Sequence, residues 1–207
     1  MFDSKRILDQ LVGSGFAGGL AGGAAGAALV SALSGKRARK YAGTALKAGG
    51  LALVGGLAYK AWQQYKGAQP DDSQGVPTAF VPLTPQDRNP LSLLLVKAMI
   101  AAARSDGNID SEEQQAIMAR ISELNLDDGE KAYLFEQFAM PLDINALAAA
   151  ADTEEHAAEI YAASALMLTR PSLSERQYLD QLANALRLDT GLRAEIDRAV
   201  DEQQAAA

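Results

Sequence analysis

Glycine is concentrated near the start of this 207-residue chain, and this constrains the fold more than any other feature. Thirteen of the eighteen glycines lie between residues 13 and 56. The stretch GFAGGLAGGAAGAALVSAL, residues 15–33, has no charged side chain and is about as long as a helix that crosses a bilayer core. In water each glycine weakens a helix by about 1 kcal/mol relative to alanine. The segment therefore suits a lipid environment with a closely packed partner helix.

The spacing of these glycines predicts a packing face for a membrane helix. Two rows recur every four residues, and such rows of small residues let a second helix approach closely. A flexible low-complexity segment and a secretory signal peptide are the alternative interpretations. The predicted membrane-packing residues of this glycine zipper, which also predict self-association, are Gly15, Gly18, Gly19, Gly22, Gly23 and Gly26.

A second candidate segment, residues 41–62, follows the basic run KRARK at 36–40. It ends with Tyr59 and Trp62, which are typical anchors at a membrane interface. If only the first segment spans, KRARK and the C-terminal part both lie in the cytoplasm, as the positive-inside rule requires. The second segment then packs at the interface or against a partner. A hairpin is the alternative, so the number of crossings stays open.

Charge divides the chain into two parts. Residues 1–84 carry nine Lys or Arg against four Asp or Glu, whereas residues 85–207 carry ten against twenty-two. The basic part is suited to anionic lipid, and the acidic part repels nucleic acid. The chain has no cysteine and one histidine, which excludes thiolate chemistry and a histidine-rich metal centre.

Proline marks the predicted boundary between these parts. Residues 67–89 contain four prolines, and Pro90 follows directly. Proline removes backbone donors and disfavours helix in the preceding residue, so we expect an extended linker here. The predicted organisation is a membrane-associated region at 1–66, a linker at 67–89 and a helical domain at 90–204. Within the linker, residues 80–83 are a weaker candidate for docking on a neighbouring surface.

The acidic part predicts a compact all-α bundle of about six or seven helices. Capping-box spacings recur at Asp110, Asp127, Asp152 and Ser172, each followed three residues later by Glu. Apolar residues follow at helical spacing, and no strand-like alternation appears. The predicted core positions include Leu95, Met99, Ala102, Ile117, Ile121, Leu124, Tyr133, Leu134, Phe138, Ile160, Ala163, Met167, Leu179, Leu182 and Leu186.

An internal similarity predicts two related halves in this bundle. A shift of 62 residues places Asp110 on Ser172 and Glu113 on Glu175. It also aligns the motif L-x-L-D-x-G at 124–129 with the same motif at 186–191. A duplicated structural unit explains this alignment, and chance similarity between amphipathic helices is the alternative.

The stretches AARSDGNIDSEE, 102–113, and ERQYLDQLANALRLD, 175–189, resemble the TerB-like family associated with tellurite resistance. With the glycine-rich front, the chain resembles that family's branch of bacterial inner-membrane proteins. The resemblance implies a helical bundle with two related halves and a location in the inner membrane. It also implies a role in membrane-linked stress response or metal-ion sensing, without an established catalytic activity.

The acidic loop inside the first of these stretches is a candidate metal site. Oxygen ligands suit a hard cation such as Ca²⁺ or Mg²⁺, but an EF-hand is excluded because Ser111 and Ile117 stand where that loop requires Gly and Glu. The corresponding second loop, 169–175, lacks a matching acidic cluster. The leading interpretation of the first loop is therefore a capped helix start that holds no metal ion. The candidate ligands are Asp106, Asn108, Asp110, Glu112 and Glu113.

Taken together, these features predict a membrane-anchored helical interaction module that is not an enzyme. Its expected partners are membrane lipid, a second copy of the chain and an unidentified protein. A divalent-cation sensor that uses the loop at 106–113 is the alternative, and an enzyme of unknown class is the distant one. His156 is more typical of a solvated residue than of a catalytic base, and Ser164 and Ser174 lack a nucleophile signature.

Overall fold

The computed structural model describes residues 3–13, 50–67, 80, 85–105, 115, 118–119, 121–122, 124–168 and 170–206. These ranges contain eight helices and no strand, so the predicted all-α class is confirmed for them. The helices are α1 (Ser4–Gly13), α2 (Gly50–Tyr65), α3 (Pro85–Ala103), α4 (Asp128–Ala139), α5 (Ile144–Ala149), α6 (Glu154–Met167), α7 (Leu173–Ala185) and α8 (Thr190–Ala206).

Helix α1 is a short amphipathic helix that was not among the predicted elements. Asp3 caps it, since the Asp3 Oδ1 accepts a hydrogen bond from the Arg6 backbone N–H at 3.3 Å. Ile7, Leu8 and Leu11 lie on one face and are fully buried, which places this face against α2 and α3. Helix α1 is therefore part of the common hydrophobic core.

Helix α2 covers the second half of the candidate membrane segment at 41–62. It packs against α1, α6 and α8, and Val54, Ala58 and Ala61 are fully buried there. The sequence predicted that this segment would lie at a membrane interface or against a partner. In the structure, the chain's own helices α6 and α8 supply the apolar surface that the small residues of α2 fit.

The expected interfacial anchors of α2 have a different role in the structure. The ring centroid of Phe80 lies 5.4 Å from that of Tyr59 and 6.0 Å from that of Trp62. Phe80 is buried, so the predicted linker docks on α2 at this point. Aromatic side chains reach a favourable apolar contact here without lipid.

None of the helices in the described ranges combines the length and apolar character that crossing a bilayer requires. These helices therefore do not support the predicted membrane helix. The first candidate segment at 15–33, with all six predicted packing glycines, lies outside the described residues.

Helix α3 begins earlier than the sequence predicted. The predicted helical domain starts at residue 90, but the helix begins at Pro85, inside the predicted linker, and Pro90 lies within it. Pro85 occupies the first helical position, where the missing N–H costs no intrahelical bond. From Leu91 onward α3 supplies core residues, including Leu95 and Met99.

Two of the four predicted capping boxes of the C-terminal bundle are confirmed, and the one at Asp110 lies outside the described residues. Complete capping boxes join Asp127 to Glu130 at the start of α4 and Ser172 to Glu175 at the start of α7. The prediction of Asp152 with Glu155 was wrong: Thr153 caps α6 and accepts a hydrogen bond from the His156 N–H at 3.1 Å. A threonine hydroxyl caps a helix in the same way as an aspartate, and here it does so one residue later in the chain.

The two L-x-L-D-x-G motifs end in comparable structures. Asp127 caps α4, and Asp189 Oδ1 accepts a hydrogen bond from the Gly191 N–H at 2.7 Å at the start of α8. The leucine that opens each motif, Leu124 or Leu186, is buried. Each motif therefore passes the chain from the core to the first turn of a new helix.

Candidate functional site

Helix α6 forms the centre of the molecule and carries the most unusual polar groups in the described ranges. Every residue from Ala157 to Met167 is buried, and α6 packs against α2, α3, α7 and α8. Its sequence, EEHAAEIYAASALM, contains many small residues, which allow neighbouring helices to approach closely. The polar side chains of this helix consequently need partners within the protein.

Glu159 is fully buried, and neither of its carboxyl oxygens has a hydrogen-bond partner among the described residues. Burial, together with repulsion from Glu155 one turn earlier, raises the pKa of Glu159 from its ordinary value of 4.5 to about 9. The physical cause is that an apolar environment disfavours the charged form. Glu159 is therefore a neutral carboxylic acid at pH 7.

Tyr161 joins α6 to α8 through a polar network. Its hydroxyl donates to Asp197 Oδ1 at 2.9 Å and accepts from Arg193 Nε at 3.0 Å. The Arg193 guanidinium also lies 5.7 Å from the centroid of the Tyr161 ring and donates to Asp180 Oδ1 at 2.5 Å. One arginine thus connects side chains from α6, α7 and α8.

Burial, with the nearby Asp197 carboxylate, raises the pKa of Tyr161 above its usual range. Burial also raises the pKa of Asp197, although Tyr161 and Arg193 act in the opposite direction. At neutral pH the Tyr161 phenol is therefore protonated and serves as a hydrogen-bonding group. This chemistry supports the packing of three helices better than proton abstraction.

A second polar contact joins α6 to α3 and α7. The Ser164 hydroxyl donates to the Ala98 carbonyl at 3.2 Å and lies 3.3 Å from the Tyr178 hydroxyl. Burial raises the pKa of Tyr178 to about 12. Neither partner of Ser164 is a histidine or a carboxylate, which are the usual bases that activate a serine nucleophile.

The predicted metal ligands Asp106, Asn108, Asp110, Glu112 and Glu113 lie outside the described residues. The structure does fix the chain where it enters this loop, at the end of α3. Arg104 donates a side-chain hydrogen bond to the Met140 carbonyl, and the Ser105 hydroxyl donates to the Ala102 carbonyl at 2.7 Å. Among the described residues, no group of three or more His, Asp or Glu side chains could hold a metal ion.

Glu159 and the Tyr161 network were not predicted as sites, although one signal was available. From Ala157 to Met167 the sequence has small or apolar residues on every side of the helix except at Glu159 and Ser164. A helix that is apolar all round is buried, so its single carboxyl must be buried as well. The partners Asp197 and Arg193 lie more than thirty residues away, and helical periodicity does not reveal such pairs.

The fold and these contacts define an all-α protein in which two N-terminal helices dock on a C-terminal helical bundle. Residues 18–200 match the family described as "Protein of unknown function (DUF533)", and the chain belongs to this family. It is 29% identical over 110 residues to the "Uncharacterized protein in ampR 5'region" of Yersinia enterocolitica. That match covers 53% of this chain and 79% of the relative. No solved structure matches the chain.

Proposed function

We propose that this protein is a membrane-associated helical interaction module of the TerB-like type, with its acidic bundle in the cytoplasm beside the bacterial inner membrane. One observation carries this function. An uncharged, glycine-rich stretch at 15–33 is flanked by helices α1 and α2, which are both docked on the acidic bundle. Insertion of that stretch would hold the bundle close to the lipid surface.

The polar chemistry of the described residues favours a binding role over catalysis. Glu159 is a neutral acid in the core, and Tyr161 and Ser164 hold helices together. Large apolar side chains are exposed elsewhere on the bundle, and such side chains can contact a protein partner. They are Met118, Met140, Leu142 and Leu173.

Self-association through the glycine rows belongs to the same function. Gly19 and Gly22 represent the two rows, and a β-branched side chain at either position would prevent close approach of a second helix. In a short chemical crosslinking assay on membranes, Gly19→Ile and Gly22→Ile should reduce the dimer band. Ala21→Ile, which adds similar bulk outside both rows, is the control.

Fractionation of the full chain tests membrane association directly. Ala24 lies at the middle of the 15–33 stretch, and an aspartate at the centre of a membrane segment costs about 2.5–3.5 kcal/mol. We expect the unchanged chain in the alkali-washed membrane pellet and Ala24→Asp largely in the supernatant. Ser73→Asp adds the same charge to the predicted linker and should stay in the pellet. Recovery of the unchanged chain in the soluble fraction would refute membrane association.

A further inference from the structure

The two helices on either side of residues 14–49 are held together on the bundle. Helix α1 ends at Gly13, and α2 begins at Gly50. The two helices contact each other, and α1 also packs on α3 while α2 packs on α6 and α8. Both ends of the intervening sequence therefore start from one globular body.

Polar contacts fix α1 to the bundle in addition to its buried face. Arg6 Nη2 donates to the Asn125 carbonyl at 3.0 Å, and the Asn125 N–H donates to Gln10 Oε1 at 3.4 Å. Arg6 Nη1 lies 3.7 Å from Glu130 Oε2, and Glu130 is fully buried. These contacts join α1 to the turn that opens α4, more than a hundred residues later in the sequence.

Helix α2 has its own contacts with the last helix. Lys60 Nζ lies 2.7 Å from Glu202 Oε2, and Gln64 accepts a hydrogen bond from Arg198. Together with the buried residues of α2, these contacts hold α2 on α8. Neither α1 nor α2 can leave the bundle without exposing apolar side chains to water.

A single crossing would conflict with this arrangement. The hydrocarbon core of a bilayer is about 30 Å thick, so a chain that crosses once places its flanking helices on opposite sides. Helices α1 and α2 are in contact and share one core with α3. The single-span interpretation, which puts α1 opposite the acidic bundle, would require α1 to detach.

We infer that α1, α2 and the bundle lie on the same side of the membrane. This inference rests on the proposed function for its lipid partner. Its structural core is the clamp formed by α1 and α2 on the bundle, which holds whether or not lipid is present.

Two crosslinks test the clamp, because the chain has no cysteine of its own. The pair Gln10→Cys with Asn125→Cys joins α1 to the bundle, and the pair Lys60→Cys with Glu202→Cys joins α2 to α8 as the matched control. With a short bismaleimide applied to whole cells and to isolated membranes, both pairs should crosslink within about twofold of each other. A tenfold lower yield for the first pair alone would show that α1 is detached and would overturn the inference.

Labelling of single-cysteine variants gives a second readout that does not depend on crosslinking geometry. Gln10→Cys and Glu202→Cys should both react with an impermeant maleimide in sealed vesicles of one orientation and both be protected in vesicles of the other, whereas opposite accessibility overturns the inference. A chain recovered in the soluble fraction would refute the proposed function, and the crosslink yields would still support or overturn the clamp.

Discussion

Arg6 donates a hydrogen bond of 3.0 Å to the backbone carbonyl of Asn125, which lies 119 residues later in the chain. The contact joins the N-terminal helix α1 to the L-x-L-D-x-G motif at 124–129, which leads into helix α4. Because the apolar face of α1 is buried in the common core, α1 should unfold together with the bundle.

Substitution of Leu8 tests this cooperativity. Leu8 is fully buried, and Leu→Ala changes at such positions cost about 2–5 kcal/mol because they lose apolar burial and leave a cavity. Urea denaturation of Leu8→Ala should show this loss in one transition. Lys5→Ala is the matched control on α1, since it removes a part-exposed ion pair with Asp9 that contributes about 0–1 kcal/mol. Equal stability of the two variants would show that α1 does not fold with the bundle.

A second prediction concerns the pH dependence of stability at Glu159. The folded pKa of Glu159 is raised to about 9 from 4.5, so between these values the folded state holds a proton that the unfolded state has released. The free energy of unfolding should therefore fall as pH rises, with a slope of about 1.4 kcal/mol per pH unit from this group. The contribution is fully present below pH 4.5 and no longer changes above pH 9.

Glu159→Gln removes the titrating group while keeping the shape of the side chain. From pH 5 to pH 9 the free energy of unfolding of Glu159→Gln should therefore rise relative to that of the unchanged protein. Glu154→Gln, an exposed substitution on the first turn of the same helix, should leave the slope unchanged. Chemical denaturation at several pH values measures both, and parallel curves for Glu159→Gln and the unchanged protein would contradict the prediction.

Much of the fold followed from local signals in the sequence. Capping boxes at Asp127 and Ser172 were readable because they need only the four residues around a helix start. The core positions were readable because apolar residues recur at helical spacing: Leu95, Met99, Ile121, Leu134, Ile160 and Leu182 are all buried.

The placement of the N-terminal helices was not readable in the same way. An apolar, glycine-rich helix suits lipid or a closely packed protein surface, and the sequence of α2 does not distinguish between them. The contact of Phe80 with Trp62 joins α2 to a residue of the predicted linker, and helical periodicity does not reveal such a pair. The Tyr161–Asp197 contact depends similarly on the relative position of two helices, which helical periodicity leaves undetermined.

The acidic loop leads to a third prediction, in which the loop caps a helix and holds no metal. Under this interpretation, Asp106→Ala with Asp110→Ala lowers thermal stability by the loss of a cap, about 0.5–2 kcal/mol, equally in calcium, magnesium or chelator. A bound cation at a hundred times its dissociation constant would instead add about 2.7 kcal/mol to the unchanged protein alone. Thermal melting of both proteins with and without each cation separates the two outcomes. Stabilisation by a cation that disappears in the double variant would establish the cation sensor.

The last prediction concerns the network that joins α6 to α8. Tyr161→Phe removes the hydroxyl that donates to Asp197 and accepts from Arg193, leaving two partly buried charged groups with one contact fewer. Hydrogen bonds to charged groups contribute about 1.5–3 kcal/mol, so the variant should be less stable by that order.

A double-mutant cycle with Asp197→Ala separates this contact from general packing. Residues that share a hydrogen bond show coupling energies of about 0.5–3 kcal/mol, and Tyr161 with Asp197 should fall in this range. Tyr161 with Glu175 is the control pair. Glu175 makes its hydrogen bonds within the capping box of α7, so its substitution and that of Tyr161 should have additive effects. Additive effects for Tyr161 and Asp197 would mean that the contact does not stabilise the fold. Coupling confined to this pair would show that the Tyr161 hydroxyl holds α8 on the central helix.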